Sequence, residues 1–261
     1  MKNLKTILIV SLLSICQFSF SQTKVDSLIN ELRKPEFYPS VSQNKEALVN
    51  LGKDAIPKLI ELIKDTSFVK LENTADLIYP GATEFYGHGY IIDYDIDWIS
   101  VRAGWVLEEL TFEDFGFKQN QIKEDDLFEL IQSNYQSEYL EKGTYSVNFK
   151  DTTELGKLKE YRKQLAIKVE KWWIENKANW NRFEAIKLAL NSKNSNRQHK
   201  ALHYLRFEKT NCEGLTKVSY NSELKPLVKV VKTEGENGAE KQAKLLLQDK
   251  EYYWLKSKTK E

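Results

Sequence analysis

The chain has 261 residues, of which 41% are hydrophobic, 12% aromatic and 30% charged, with a formal net charge of +1. A chain this long buries roughly 70–75% of the surface its unfolded form exposes, and its apolar share supplies a core, so disorder throughout is excluded. Glycine and proline number only 11 and 5, below the roughly 12% of an average chain, which argues against a sheet-rich fold with many tight turns and for long helices.

At the start, Lys2 and Lys5 form a short positive region ahead of the apolar run 6–15, TILIVSLLSI. A bilayer span takes about 20 residues, so this run suits the apolar region of a signal peptide. Ser19 and Ser21 place small residues at −3 and −1 of a cut before Gln22. A lipoprotein would carry its lipid on Cys16, but Ile15 occupies the position where a small residue is needed. The expectation is a signal peptide over 1–21 and a periplasmic or secreted chain with no transmembrane segment. Cleavage removes two lysines and no acid, taking the net charge from +1 to −1, and leaves Cys212 as the sole thiol. No internal disulfide can then form, and the near-neutral balance together with export argues against a dedicated nucleic-acid binder.

A first helix is expected over 23–34, ended by Pro35 and Pro39. Residues 44–65, NKEALVNLGKDAIPKLIELIKD, then spell a helical hairpin. Ala47, Leu48 and Leu51 share a face, and Gly52 stops the helix because it accepts the left-handed conformation. Asp54 is placed to cap the second helix, and Pro57 sits in its first turn, where no amide donor is missed. Ile56, Leu59, Ile60 and Ile63 follow at i, i+3, i+4 and i+7. In 96–110, Ile99, Ala103, Val106, Leu107 and Leu110 make one stripe and Trp98, Val101 and Trp105 another, so this helix is expected to be buried between neighbours.

LVKVVKT at 227–233 echoes LIELIKD at 59–65, an offset of 168 residues, which four periods of about 42 would produce. KALHYL at 200–205 echoes EALVNL at 46–51. ALVNLGKDAIPKLIELIKD, with its Leu-Gly step and proline-started second helix, and ISVRAGWVLEEL, with its Val-Arg-x-Ala, resemble HEAT repeats. The resemblance covers 41–65, 95–132 and, more faintly, 195–250. It implies an all-α, armadillo-type solenoid of helical hairpins such as exported bacterial HEAT-repeat proteins carry, usually a binding scaffold. Residues 66–94 and 134–153 break the pattern and read as insertions. The organisation expected is an N-terminal unit of HEAT-like repeats over 22–150 and a C-terminal one over 151–261, basic and Trp-rich at its start.

The long stretch 151–180 carries Leu158, Tyr161, Leu165, Val169 and Trp172 at near-heptad spacing, then Trp173 and Trp180. It reads as a helix packing its stripe on the preceding hairpins. An exposed Trp172, Trp173 and Trp180 would instead suit a carbohydrate-binding module.

The most unusual segment is 79–98, YPGATEFYGHGYIIDYDIDW. It offers Tyr79, Tyr86, His88, Asp93, Asp95, Asp97 and Trp98 as candidate binding residues, with Arg102 one turn into the next helix. Three alternating aspartates suggest calcium, but an EF-hand starting at Asp93 needs Gly at 98 and Glu at 104. Trp98 and Gly104 stand there. The structural reading has Asp95 capping the next helix, Asp97 in its first turn, and Arg102 stapling a nearby acid. A metal-dependent enzyme or metal-binding protein built on His88 and the three aspartates is the alternative. His199 and His203 lie at i, i+4 on the edge of a helix, half a zinc site at most. No motif for a cofactor or for nucleophilic catalysis occurs.

Residues 84–129 hold 12 acids and 3 bases, whereas 155–210 hold 14 bases and 5 acids. Such stretches either pair with each other or form a basic groove for an acidic protein or glycan. Together these features point to a non-catalytic exported scaffold for a protein or peptide partner in the cell envelope.

Overall fold

The computed structural model describes residues 23–34, 38–67, 69, 71, 76–77, 85–86, 92, 94, 96–118, 135–140, 144–149, 153–207 and 212–249. Helices build its cores. Helix α1 spans 23–32, and α2 (Tyr38–Leu51) follows. The second helix thus begins six residues earlier than 44, because Pro39 falls in its first turn and forfeits no hydrogen bond there. Gly52 ends α2 at φ +64° and opens a 3-10 turn, Gly52–Ala55. Helix α3 (Ile56–Ile63) carries Pro57 in its first turn and has no side-chain cap. Asp54 lies in the 3-10 turn, which supplies the entry that a cap would otherwise provide.

Helix α4 (Ile99–Thr111) is the centre of the fold. All of its residues except Glu109 are buried, Ser100, Arg102, Gly104, Glu108 and Thr111 included. It packs on α2, on α3 and on α6 (Arg182–Leu190). Its N-cap is Trp98, without a side-chain hydrogen bond. The Ile99 amide instead donates to the Ser67 carbonyl at 3.0 Å. Asp97 is therefore not in the first turn. It sits before the helix and accepts the Leu71 amide on its side chain at 2.8 Å and the Val69 amide on its carbonyl at 2.7 Å, tying both residues to the start of α4.

The long helix α5 (Thr153–Asn176) lays Leu165, Ala166 and Val169 on the same core as α1 to α4. A second core gathers α6, α7 (Ser195–Phe207) and the last hairpin, α9 (Lys225–Glu234) with α10 (Ala239–Gln248). Asn181 caps α6 through the Glu184 amide. Ahead of α9 stand a short helix α8 (Lys217–Ser219) and a π-helical turn, Tyr220–Leu224. Pro226 has no amide to donate, and the wider turn before it takes up the break in the ladder.

Two antiparallel hairpins add to the helical frame. β1 (Asp76–Leu77) pairs with β2 (Phe85–Tyr86), Asp76 opposite Tyr86. β3 (Tyr135–Leu140) pairs with β4 (Thr144–Phe149), Tyr135 opposite Phe149. Both lie inside the segments that break the repeat pattern, so the helical class holds with these local exceptions. No helix among the described residues is long and apolar enough to cross a membrane. The signal-peptide segment 1–21 lies outside the described residues.

Candidate functional site

The two cores meet around a half-open cleft of about 390 Å³, within the range of roughly 300–1,000 Å³ that small-ligand sites occupy. Helix α2 contributes Tyr38, Lys45, Glu46 and Val49, and α4 contributes Trp105, Glu109 and its cap Phe112. Ile92, Tyr94 and Lys118 close one side, the last two through an antiparallel backbone bridge. Helix α7 contributes Asn196, His199, Lys200, His203 and Tyr204. These are spaced at i, i+3, i+4, i+7 and i+8, one helical stripe. The other side of α7 sinks Ala201, Leu202 and Leu205 into the second core, which fixes the stripe toward the cleft.

Trp105 forms the aromatic floor. Its ring lies 6.4 Å from that of Tyr38 and 6.3 Å from that of Tyr94. Lys45 Nζ stands 4.9 Å from the Trp105 ring and 2.5 Å from Glu109 Oε2. Beneath the floor lies Glu108, whose side chain has no exposed surface. Its Oε1 accepts the amides of Phe115, Gly116 and Phe117 at 2.8, 3.0 and 3.2 Å. Its Oε2 accepts the Tyr94 hydroxyl at 2.8 Å and Lys200 Nζ at 2.7 Å. Burial and the Glu108 charge hold the Tyr94 phenol well above its ordinary pKa. Tyr94 therefore remains a neutral donor. The carboxylate is a structural anchor for the loop after α4, and Phe117 on that loop fills the space beside Gly104.

The rim is different. The His199 and His203 rings lie 6.5 Å apart. His199 is half-buried, and its pKa is lowered by burial, by His203 and by Lys118. His203 is exposed and touches the exposed Phe207, ring to ring at 4.9 Å.

The residues expected to bind a partner fall elsewhere. Tyr79, His88, Asp93 and Asp95 lie outside the described residues, and Tyr86 belongs to β2. Asp97 and Trp98 are interior. The Arg162 guanidinium lies 4.4 Å from the Trp98 ring. Arg102 is fully buried and donates to the carbonyls of Ile96, Leu32, Lys34 and Val69 at 2.7, 2.6, 3.2 and 2.9 Å. Its hydrogen bonds staple backbone, and burial lowers its pKa to about 10 against the opposing pull of the Asp97 charge. Trp172, Trp173 and Trp180 are half-buried and chain ring to ring from Phe115, at 5.2, 5.9 and 6.5 Å. They pack against the first core, with Trp180 also against the second.

The acidic and basic stretches meet at this junction. Arg197 pairs with Glu113 at 2.6 Å and Lys200 with Glu108 at 2.7 Å. Cys212 is a buried thiol of the second core, in no disulfide. Among the described residues no group of three His, Cys, Asp or Glu is placed to hold a metal ion. Single-sequence reading found the α7 histidines but not what faces them. No family model matches the chain, and comparison with curated proteins and with solved structures finds no match.

Proposed function

We propose that this chain is an exported, HEAT-like helical scaffold that binds a protein or peptide partner through the cleft between α2, α4 and α7. The observation that carries this reading is the make-up of the cleft. Its floor is a rigid aromatic group, Trp105 with Tyr38 and Tyr94, and its lysines at positions 45 and 200 are held in ion pairs. Preorganised aromatic surface ringed by polar side chains is what recognition of a peptide side chain uses. Glu108 and Glu109 are each engaged by a lysine, which suits support of a binding wall better than proton transfer.

The test is selection from a displayed random-peptide library on the full chain, followed by backbone NMR mapping of an enriched peptide. The expected result is perturbation of amides on the cleft faces of α2 and α7. An enriched peptide that maps to another surface, or no enrichment, would overturn the assignment.

A further inference from the structure

Phe207 ends α7 and is 52% exposed. A single exposed apolar residue is ordinary on a protein surface, and Ile174 on α5 is more exposed still, at 67%. What sets Phe207 apart is its place. Asn196, Lys200 and His203 line the cleft at i, i+4 and i+7, and Phe207 continues the same line of α7 at i+11. A helical side chain leans back over the turn before its own, and the Phe207 ring meets that of His203 at 4.9 Å. The Arg206 guanidinium stands 4.5 Å from the Phe207 ring and donates to Gln242 on α10. The aromatic surface of the cleft thus runs on through His203 to the end of α7.

We propose that Phe207 is a second anchor for the peptide bound in the cleft, and that this peptide carries an apolar side chain to meet it. The proposal rests on the peptide-binding reading above. A polar side chain laid on the ring would give up water for a surface that offers no hydrogen bond. An apolar one gains in proportion to the area it covers. The ring is also already placed. It has two torsions, and His203 and Arg206 pack against it, so little freedom is left to lose when a ligand arrives.

The geometry sets a spacing. Phe207 lies seven residues beyond Lys200 on α7, about 10 Å along the axis at a rise of 1.5 Å per residue. A peptide in extended form advances about 3.3 Å per residue. Laid along α7, it brings its second apolar side chain to Phe207 three or four residues from the one held in the cleft. The partner selected is an extended segment with two apolar side chains at that separation, and Phe207 fixes its register.

The experiment uses two degenerate nonapeptide pools, blocked at both ends, each with Phe at the centre. One carries Leu three and four residues to either side, and the other carries Ser in those places. Both are titrated against the full chain, against Phe207→Ser and against Ile174→Ser, with circular dichroism confirming the fold of each variant. The Leu pool is expected to bind the full chain about tenfold tighter than the Ser pool. Phe207→Ser should remove that advantage, and Ile174→Ser should leave it. If Phe207→Ser does not fold, the ring protons of Phe207 in the unaltered chain decide. The Leu pool must shift them and the Ser pool must not. Equal binding of the two pools, an advantage that survives Phe207→Ser, or one lost in Ile174→Ser as well, overturns the second anchor while leaving peptide binding standing. Binding of neither pool overturns both.

Discussion

Lys200 Nζ lies 2.7 Å from Glu108 Oε2, and 92 residues of sequence separate the two. The contact fastens α7, a helix of the second core, to α4, the helix at the centre of the first. It is not a surface ion pair, because the Glu108 side chain is entirely buried and that of Lys200 is 16% exposed. Three loop amides and a phenol complete the shell of the carboxylate, which is what a buried charge requires in order to be stable at all.

Removing the carboxylate should therefore cost more than removing the lysine. Glu108→Ala leaves three loop amides and the Tyr94 hydroxyl without their acceptor and the Lys200 ammonium with the Glu113 carbonyl alone, and we expect a loss of about 3–5 kcal/mol. Lys200→Ala leaves Glu108 its other four donors, and we expect about 1–3 kcal/mol. Urea unfolding followed by circular dichroism measures both. A larger loss in Lys200→Ala would show that the ion pair, and not the cradle of amides, holds the loop.

The ring of Phe117 lies where a β-carbon at position 104 would stand. Gly104→Ala should destabilise by about 1–3 kcal/mol, as overpacking does. In a Phe117→Ala background the same change should become favourable by about 0.5–1 kcal/mol, because alanine is the better helix former. A double-mutant cycle reads the reversal. Additive effects would mean that the ring has somewhere else to go.

His199 holds its proton less tightly in the folded chain than in the unfolded one, through burial, His203 and Lys118. Below about pH 6.5 the unfolded state then binds more protons. The contribution to stability is full above that pH, declines as pH falls toward the lower folded value, and is constant beneath it. Wild-type and His199→Gln stabilities, compared from pH 7.5 to 5, should differ by a slope confined to this window, with the wild type losing more. A slope of opposite sign would place a carboxylate against the ring.

The lysines at 2 and 5, the apolar run 6–15 and the small residues Ser19 and Ser21 predict a mature chain that begins at Gln22. Edman sequencing of protein recovered after export should read Gln-Thr-Lys-Val-Asp. An intact start, or lipid on Cys16, would refute the reading.

The helices were legible where burial is one-sided and regular. Ile56, Leu59, Ile60 and Ile63 keep helical spacing, and all are buried; the two stripes of 98–110 foretold a helix enclosed by neighbours. Gly52 was legible because a positive φ suits glycine. Pro39 misled, since proline reads equally as the end of one helix and the first turn of the next. The hairpin β3–β4 had a signal, with Tyr135, Ser137 and Tyr139 alternating toward Gly143 and Tyr145, Val147 and Phe149 beyond it. The cleft had none. Its parts come from α2, α4, α7 and the bridge of Tyr94 with Lys118, and periodicity reports which face of a helix is apolar, not which other segment it meets. The same limit hid Arg102, whose four acceptors are backbone carbonyls that no side-chain pattern announces.

Phe112 caps α4 in the left-handed conformation, at φ 58°. Although α4 belongs to the first core, this ring is sunk in the second, 5.2 Å from Tyr204, and its carbonyl accepts Arg197 Nε at 3.3 Å. Stacked hairpins that touch only their neighbours can melt one after another. A residue grown from one cluster and housed in the other removes that freedom, so the described cores should lose order in one cooperative step. The cleft then has no stability of its own to spare. A ligand that grips it would register as a shift of the whole melting curve rather than as the quieting of a single loop.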